Sequence, residues 1–299
     1  MTSLRMQSNT PERIGHVTLT HPDRTVLRPP KTTKSDLAHY YESIAPYMLE
    51  HLKGRRIAML RCPDGADEDC FFQKHLTGTL PTGLSREAGH LQIQSIEGLL
   101  GLVQLGVIEF HTWGARAPGH DNPDRVTLDL DPGPDISWRG LVEATQLAHG
   151  LMTEVGLAPF LKTTGGKGLH LVAPIRATRS WETVRFLAHH LAQRLANAMP
   201  DRFTANMAKD QRRGRIFVDY LRNGNGATAI CAYSVRARPE APVSMPLPWD
   251  ALDFHNDLRA AAFNVRNALD HVQTHEDPWQ DYAARRTVLT QRMMDRLEL

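Results

Sequence analysis

The sequence predicts an α+β protein, a mixed α/β chain in which helices and strands alternate from end to end. Three observations carry that expectation. Val126, Leu128 and Leu130 alternate with Thr127, Asp129 and Asp131, the period of two of a β-strand. Apolar stripes at helical spacing recur elsewhere, as in Leu141, Val142, Thr145, Leu147, Ala148, Leu151 and Met152. Gly and Pro punctuate the boundaries between such segments.

The first ten residues lack the apolar core of a signal peptide and are expected to form a frayed terminus. His16–Leu19 reads as a short strand. Thr20–Arg24 and Arg28–Lys34 follow as a turn-rich, cation-dense loop. Ser35 and Asp36 read as the N-cap and first turn of a helix to about Lys53, with Leu37, Tyr40, Tyr41, Ile44, Tyr47 and Met48 on one face. Gly54 ends it, and Ile57–Arg61 is a strand. A cationic loop ahead of a helix N-terminus can hold a phosphate on free N–H groups, and a solvated basic loop has the same composition.

Phe71-Phe72-Gln73-Lys74-His75 follows the acidic loop Asp64–Asp69. Adjacent aromatics point to opposite faces of a strand, so either both faces are covered or one ring meets a groove where it can stack on a base, with Lys74 near a phosphate. Ser95–Gln104 reads as a helix, Gly106 as its stop, and Val107–Phe110 as a strand ending at His111. The polar loop Gly114–Asp124 leads into the Asp129/Asp131 strand, which Pro132-Gly133-Pro134 stops. Trp138–Val155 is helical and Gly156 caps it. Pro159–Lys162 and Gly168–Pro174 are strands joined by Thr163-Thr164-Gly165-Gly166-Lys167-Gly168, which is either a plain hairpin turn or a phosphate cradle carrying the Thr164 hydroxyl and the Lys167 charge. Ser180–Met199 is an amphipathic helix. The cationic run Lys209–Arg215 precedes a strand, Ile216–Tyr220, bearing Asp219. Ala227–Tyr233 is a further strand, Pro239–Pro248 a Pro-rich connection, and the remainder mainly helical.

Composition narrows the function classes. In 299 residues, 41% hydrophobic and 23% charged content is that of a soluble globular protein with a sizeable core. A net charge of +2 excludes a whole-molecule basic field, so a nucleic-acid surface has to be a local patch. Three cysteines without metal-ligand spacing suit a reducing cytosol, and no apolar run reaches membrane-spanning length. A cytoplasmic protein is expected.

Asp129 and Asp131 share a strand face with Cα atoms about 6.5–7 Å apart. Carboxylates that close repel unless a cation or a shared proton sits between them. With Asp219, Lys167, His111 and the arginines around Arg212 and Arg236, they form a set suited to holding divalent metals and a triphosphate, the equipment of nucleotidyl transfer.

The motifs Phe71–His75, Ile108–His111, Leu128–Pro132, Lys162–His170, Ile216–Asn223 and Tyr233–Arg238, in that order, closely resemble the polymerase domain of bacterial DNA ligase D, of the archaeo-eukaryotic primase superfamily. The likeness runs from about His16 to at least Trp249. It implies a single primase-polymerase catalytic domain over residues 11–299, with an RRM-like antiparallel or mixed sheet and an added N-terminal α/β unit. It implies template-directed addition of NTPs or dNTPs, often ribonucleotides, to DNA 3′ ends at gaps and double-strand breaks in non-homologous end joining. Two divalent ions, Mn2+ or Mg2+, would bind Asp129, Asp131 and Asp219. His111, Thr164, Lys167, Arg212 and Arg236 match triphosphate contacts, and His170 matches the superfamily's second-motif histidine. Phe71, Phe72 and Lys74 would meet DNA. Arg24 and Lys34 match residues holding a downstream 5′-phosphate, although His21 and Arg24 stand where Asn and Lys are common; Thr164 replaces the usual Ser and keeps its hydroxyl. Expected partners are DNA ends or gaps with a 5′-phosphate, a Ku-type end-binding protein, and ligase and nuclease modules that this sequence does not contain. No membrane partner is expected. Two other readings share parts of this pattern. A stand-alone primase would be expected to carry a zinc-binding cluster, and a non-catalytic DNA-end binding module would not need the three Asp residues.

Overall fold

A computed structural model describes residues 10–252 and 258–298; the rest of the expected frayed terminus lies outside the described residues. The chain divides into two compact units, each assembled from several segments. The first comprises the chain up to Thr112 with Ile230–Val243 and Phe263–His271; the second comprises Trp113–Ala229, Ser244–Ala262 and Val272 onward.

In the second unit the period-two segment becomes the strand Arg125–Pro132. Its apolar row, Val126, Leu128 and Leu130, is fully buried. It is followed by the helix Trp138–Glu154, the strands Phe160–Thr163 and Leu169–Pro174, the helix Trp181–Ala198 and the strand Ile216–Asp219. These strands lie in the order Ile216–Asp219, Arg125–Pro132, Leu169–Pro174, Phe160–Thr163, all antiparallel to their neighbours, with Phe203–Thr204 and Pro246–Leu247 added at the edges. That order and the two intervening helices are the expected RRM-like arrangement. Ser137 and Ser180 cap the two helices by accepting the N–H groups of Gly140 and Thr183. Leu141, Val142, Ala148, Val184, Leu187 and Leu191 from those helices are buried, each large side chain contributing roughly 1.5–3 kcal/mol of transfer free energy.

In the first unit the strand Arg55–Arg61 pairs antiparallel with His90–Ile93 and Phe71–Gln73, and His90–Ile93 with Leu84–Glu87; Val107–Arg116 lies on the other side of Arg55–Arg61. The helix Lys34–Leu52 buries Leu37, Tyr40, Tyr41, Ile44 and Met48. The Tyr41 hydroxyl donates to the Ile108 carbonyl at 2.6 Å and that of Tyr40 to the Tyr233 carbonyl at 2.8 Å. No described helix is long and apolar enough to cross a membrane.

Four expectations change. The helix is capped by Thr33, not Ser35: the Thr33 hydroxyl accepts the Asp36 N–H and the Asp36 carboxylate accepts the Thr33 N–H, a reciprocal capping box that places Lys34 in the first turn. The strand expected to stop at Phe110 continues to Arg116, so His111 lies within it rather than at its end. Cys62 and Cys70 form a disulfide, leaving Cys231 as a buried thiol. Register explains the pairing, because Arg61 and Phe71 are partners across a hairpin and the two cysteines immediately follow and precede them. The C-terminal region is largely turns, with helices only at Ala268–Thr274 and Gln291–Glu298 beyond a short turn at Trp249–Ala251 among the described residues. What fixes it is an aromatic cluster, Trp279 stacked on Tyr282 at 5.1 Å beside Phe160, with the Trp279 indole donating to the Leu161 carbonyl.

Candidate active site

The three carboxylates lie on adjacent strands of the second unit. Asp129 and Asp219 are direct partners across the Arg125–Pro132 and Ile216–Asp219 pair, and Asp131 is two residues further along the same face. Asp129 also pairs in register with His170 on its other neighbour, whose Nε2 lies 3.2 Å from Asp129 Oδ2. Arg222, absent from the sequence-derived set, sits over the cluster: its Nε donates to Asp129 Oδ2 at 3.2 Å and its Nη2 is 3.1 Å from Asp219 Oδ2. The turn Leu221–Asn223 after Asp219 brings it there, held by the Leu221 N–H on Asp219 Oδ1 and by Asn223 on the Thr127 backbone.

The three acids are electrostatically unequal. Burial would raise Asp129, but His170 and Arg222 together hold it well below the usual carboxylate range. Asp131 is pushed up to about 6 by burial and by the Asp129 charge. Asp219 is raised by burial, against the pull of Arg222. His170 is fully enclosed and lowered to about 4 by burial and by the Lys162 charge, against Asp129. Among the described residues no group of three or more His, Cys, Asp and Glu side chains is gathered tightly enough to hold an ion as it stands. Arg222 meanwhile bridges Asp129 and Asp219, its guanidinium balancing their charge. The donor set nevertheless fits a hard cation: three carboxylates share one face, and Asp129 Oδ1 is buried without a hydrogen-bond partner.

Two close approaches shape the surroundings. The turn 163–168 is a hairpin closed by Thr163 opposite Leu169, with Gly165 at φ +65°. The Thr164 hydroxyl donates to the Gly168 carbonyl at 3.0 Å and accepts the Gly166 N–H, so it ties the turn together, while Lys167 is exposed at the tip. A Cβ on Gly168 would strike the Leu130 carbonyl oxygen and reach Asp131 Oδ1, so glycine seats the turn against the Asp129/Asp131 strand. Gly133 does the same for the cationic run: its N–H donates to the Arg215 carbonyl at 2.9 Å, and a Cβ would strike the Arg212 carbonyl oxygen. Arg212 then lies 4.0 Å over the Phe217 ring with Nη1 3.9 Å from Asp131 Oδ2.

The first unit holds a second group. His111 Nε2 is 2.8 Å from Glu109 Oε2, and Arg236 Nε is 3.1 Å from Glu109 Oε1. The His111 ring meets that of Phe72 edge-on at 4.9 Å. Phe71 and Phe72 are 46% and 58% exposed, which removes the covered-strand alternative, and Lys74 is exposed beyond them. Arg61 lies 5.5 Å over the Phe71 ring.

Arg24 and Lys34 line one cavity of about 260 Å³ with Thr20, His21, Arg61 and Gln104. Arg24 donates to the Pro63 carbonyl at 2.6 Å; Lys34 Nζ donates to the Thr20 carbonyl at 3.0 Å and to Gln104 Oε1 at 2.7 Å. Burial and the nearby Arg24 lower Lys34 to about 8. Arg61, held to the Leu105 carbonyl, is a third cation that the sequence reading did not assign.

Residues 33–279 match the family model described as LigD, primase-polymerase domain. The chain is 41% identical over 293 residues to the multifunctional non-homologous end joining protein LigD of Pseudomonas aeruginosa, covering 94% of this chain and 34% of that protein. It is 26% identical over 265 residues to the bifunctional LigD of Bacillus subtilis, covering 87% of this chain and 43% of that one. The chain thus spans about a third of the first relative's length and less than half of the second's. It also superposes on the polymerase domain from Mycobacterium tuberculosis ligase D in complex with DNA, with TM-score 0.83 and 33% identity, covering 90% of this chain and 98% of that domain.

Proposed function

Since the chain belongs to the LigD primase-polymerase family, we propose that it is a template-directed nucleotidyltransferase acting at DNA gaps and double-strand breaks in end joining. The observation that carries the reading is the three-carboxylate face in which Asp129 and Asp219 are register partners and Asp129 Oδ1 is buried without a partner. Divalent metal bound by Asp129, Asp131 and Asp219, two ions of manganese or magnesium, would neutralise the triphosphate and acidify the attacking primer 3′-hydroxyl. His170 and Arg222 hold Asp129 in its ionised form before substrate arrives. Lys167 at the turn tip, with Arg212, His111 and Arg236, would grip the triphosphate, and the exposed rings of Phe71 and Phe72 would stack on template bases. A Ku-type end-binding protein is the matching recruiter, in keeping with the end-joining names of the relatives. Primer extension on a gapped duplex, with each nucleotide and with manganese or magnesium, tests the reading; no incorporation in any combination would overturn it.

The Arg24/Lys34 cavity would bind the 5′-phosphate beyond the gap. Three cations line a recess of about 260 Å³, enough for a phosphate group, and Lys34 belongs to the first turn of its helix. Lys34 gives this a pH signature. With its pKa held at about 8, the ammonium is charged below that pH and neutral above it. The preference for 5′-phosphate over 5′-hydroxyl duplex is therefore expected to be full at pH 7 and to fade above pH 8, more weakly where bound phosphate raises the pKa. Lys34→Arg, which stays charged, should keep the preference flat, and Arg24→Ala with Lys34→Ala should remove most of it while sparing extension of a plain primer–template. Binding titrations with both ends from pH 7 to 9.5 decide it; an undiminished preference in the double variant would place phosphate recognition elsewhere.

A further inference from the structure

Glu109 is a buried acid in a group otherwise suited to an anion. It is 3% exposed near the start of the Val107–Arg116 strand, two residues from His111 and so on the same face. A carboxylate near a triphosphate repels it, and its burial is costly unless its charge is fully engaged. Here it is engaged three times. Oε2 meets His111 Nε2 at 2.8 Å; Oε1 meets Arg236 Nε at 3.1 Å and accepts the Ala237 N–H at 2.8 Å. Burial acts to raise its pKa, and these partners override it and hold the acid at about 2. Both of its side-chain partners are residues assigned above to the triphosphate.

We propose that Glu109 is the positioning residue of the nucleotide grip, fixing His111 and Arg236 in one geometry before the triphosphate binds. The proposal rests on the assignment of those two residues to the triphosphate. One carboxylate joins a ring on a strand to a guanidinium on the segment Ile230–Val243, far away in sequence, and so removes their independent motion. Donors that are already oriented lose less freedom on binding, so the gain appears as nucleotide affinity. The edge-on Phe72 ring restrains the same imidazole.

The test uses the full chain, ATP opposite a templating dT, and steady-state extension with melting curves. Glu109→Gln keeps an acceptor for the Ala237 N–H and removes the charge that orders the two donors. It is expected to raise the KM for ATP on the order of tenfold, to leave kcat within about twofold, and to leave the KM for primer–template unchanged. In a His111→Ala, Arg236→Ala background the same change should have no further effect on the KM for ATP, because Glu109 acts through those residues. The imidazole 15N signals of His111 should also shift in Glu109→Gln without nucleotide. If Glu109→Gln leaves the KM for ATP unaltered while His111→Ala and Arg236→Ala each raise it, Glu109 only braces the fold and the proposal fails alone. If neither single variant raises it, the triphosphate assignment fails first and takes the proposal with it. Should Glu109→Gln not fold, Glu109→Asp, which keeps the charge and shortens its reach, serves instead; an unchanged KM for ATP in that variant overturns the proposal.

Discussion

Asp131→Asn is expected to abolish nucleotidyl transfer and raise the melting temperature in chelator, whereas Asp129→Asn is expected to abolish transfer and lower it. Both remove a ligand from the proposed metal face, and several kcal/mol of transition-state stabilisation corresponds to a loss on the order of a thousandfold. The opposite stability effects follow from unequal surroundings. Asp131 is raised to about 6 from an ordinary 3.8, so the folded protein disfavours its charge. That destabilisation is full above pH 6 and declines as pH falls through the folded pKa toward the unfolded one. The gain from Asn should therefore be larger at pH 8 than at pH 5. Asp129 is depressed, so its contribution is present above the ordinary carboxylate value and lost only as pH falls below it. Neutralising it at pH 7 leaves Arg222 with one acid fewer and reduces the His170 contact from a charge-assisted to a neutral hydrogen bond. Manganese should then raise the melting temperature of the wild type more than that of either variant. An Asp131→Asn protein retaining a tenth of wild-type turnover would remove Asp131 from the reaction.

Gly168→Ala is expected to cost both stability and nucleotide affinity. Its Cβ would strike the Leu130 carbonyl oxygen, a backbone atom of the central strand that cannot swing aside, and would crowd Asp131 Oδ1. Relief requires the 163–168 turn to lift or the strand to bend. Overpacking of this kind costs about 1–3 kcal/mol, which lowers the melting temperature by several degrees. Either adjustment displaces Lys167 relative to Asp131, and the KM for nucleotide should rise about tenfold, as for one lost charge-assisted contact. Gly150→Ala is the control. It lies on the Trp138–Glu154 helix with nothing within 4 Å of a new Cβ, and should be neutral or stabilising by about 0.5–1 kcal/mol. Equal melting temperatures for Gly168→Ala and wild type would show that the turn accommodates a methyl group.

The elements legible in the sequence were those set by local periodicity. Val126, Leu128 and Leu130 mark their strand because alternation is a property of neighbouring residues, and the helical stripes of 138–155 and 180–199 agree with the observed spans to a residue or so at each end. Features set by pairing were not legible. The disulfide depends on the register Arg61 with Phe71, and the continuation of the His111 strand to Arg116 depends on neighbours in the sheet. The C-terminal region misled because its stability comes from Trp279 and Tyr282 docking, not from a helical stripe. At the candidate site the acids and Lys167 stood out by residue type and spacing. Arg222 and Glu109 did not, although each carried a signal: Arg222 is three residues after Asp219, one short turn away, and Glu109 is two before His111 on a strand. Thr33 and Ser35 are both suitable caps by residue type, and Asp36, three residues after Thr33, selects Thr33 by completing a capping box.

The segments of the two units also govern how this protein can be taken apart or passed on. The chain changes unit after Thr112, Ala229, Val243, Ala262 and His271, so neither unit is encoded as one continuous stretch. A fragment stopping at Thr112 would lack Tyr233, the acceptor for the Tyr40 hydroxyl, and Ser234, whose hydroxyl receives the Phe110 N–H. No single stop codon, protease cut or exchange of gene ends yields either unit whole. A single crossover inside this stretch therefore divides both units, and recombination keeps them whole when the stretch travels undivided.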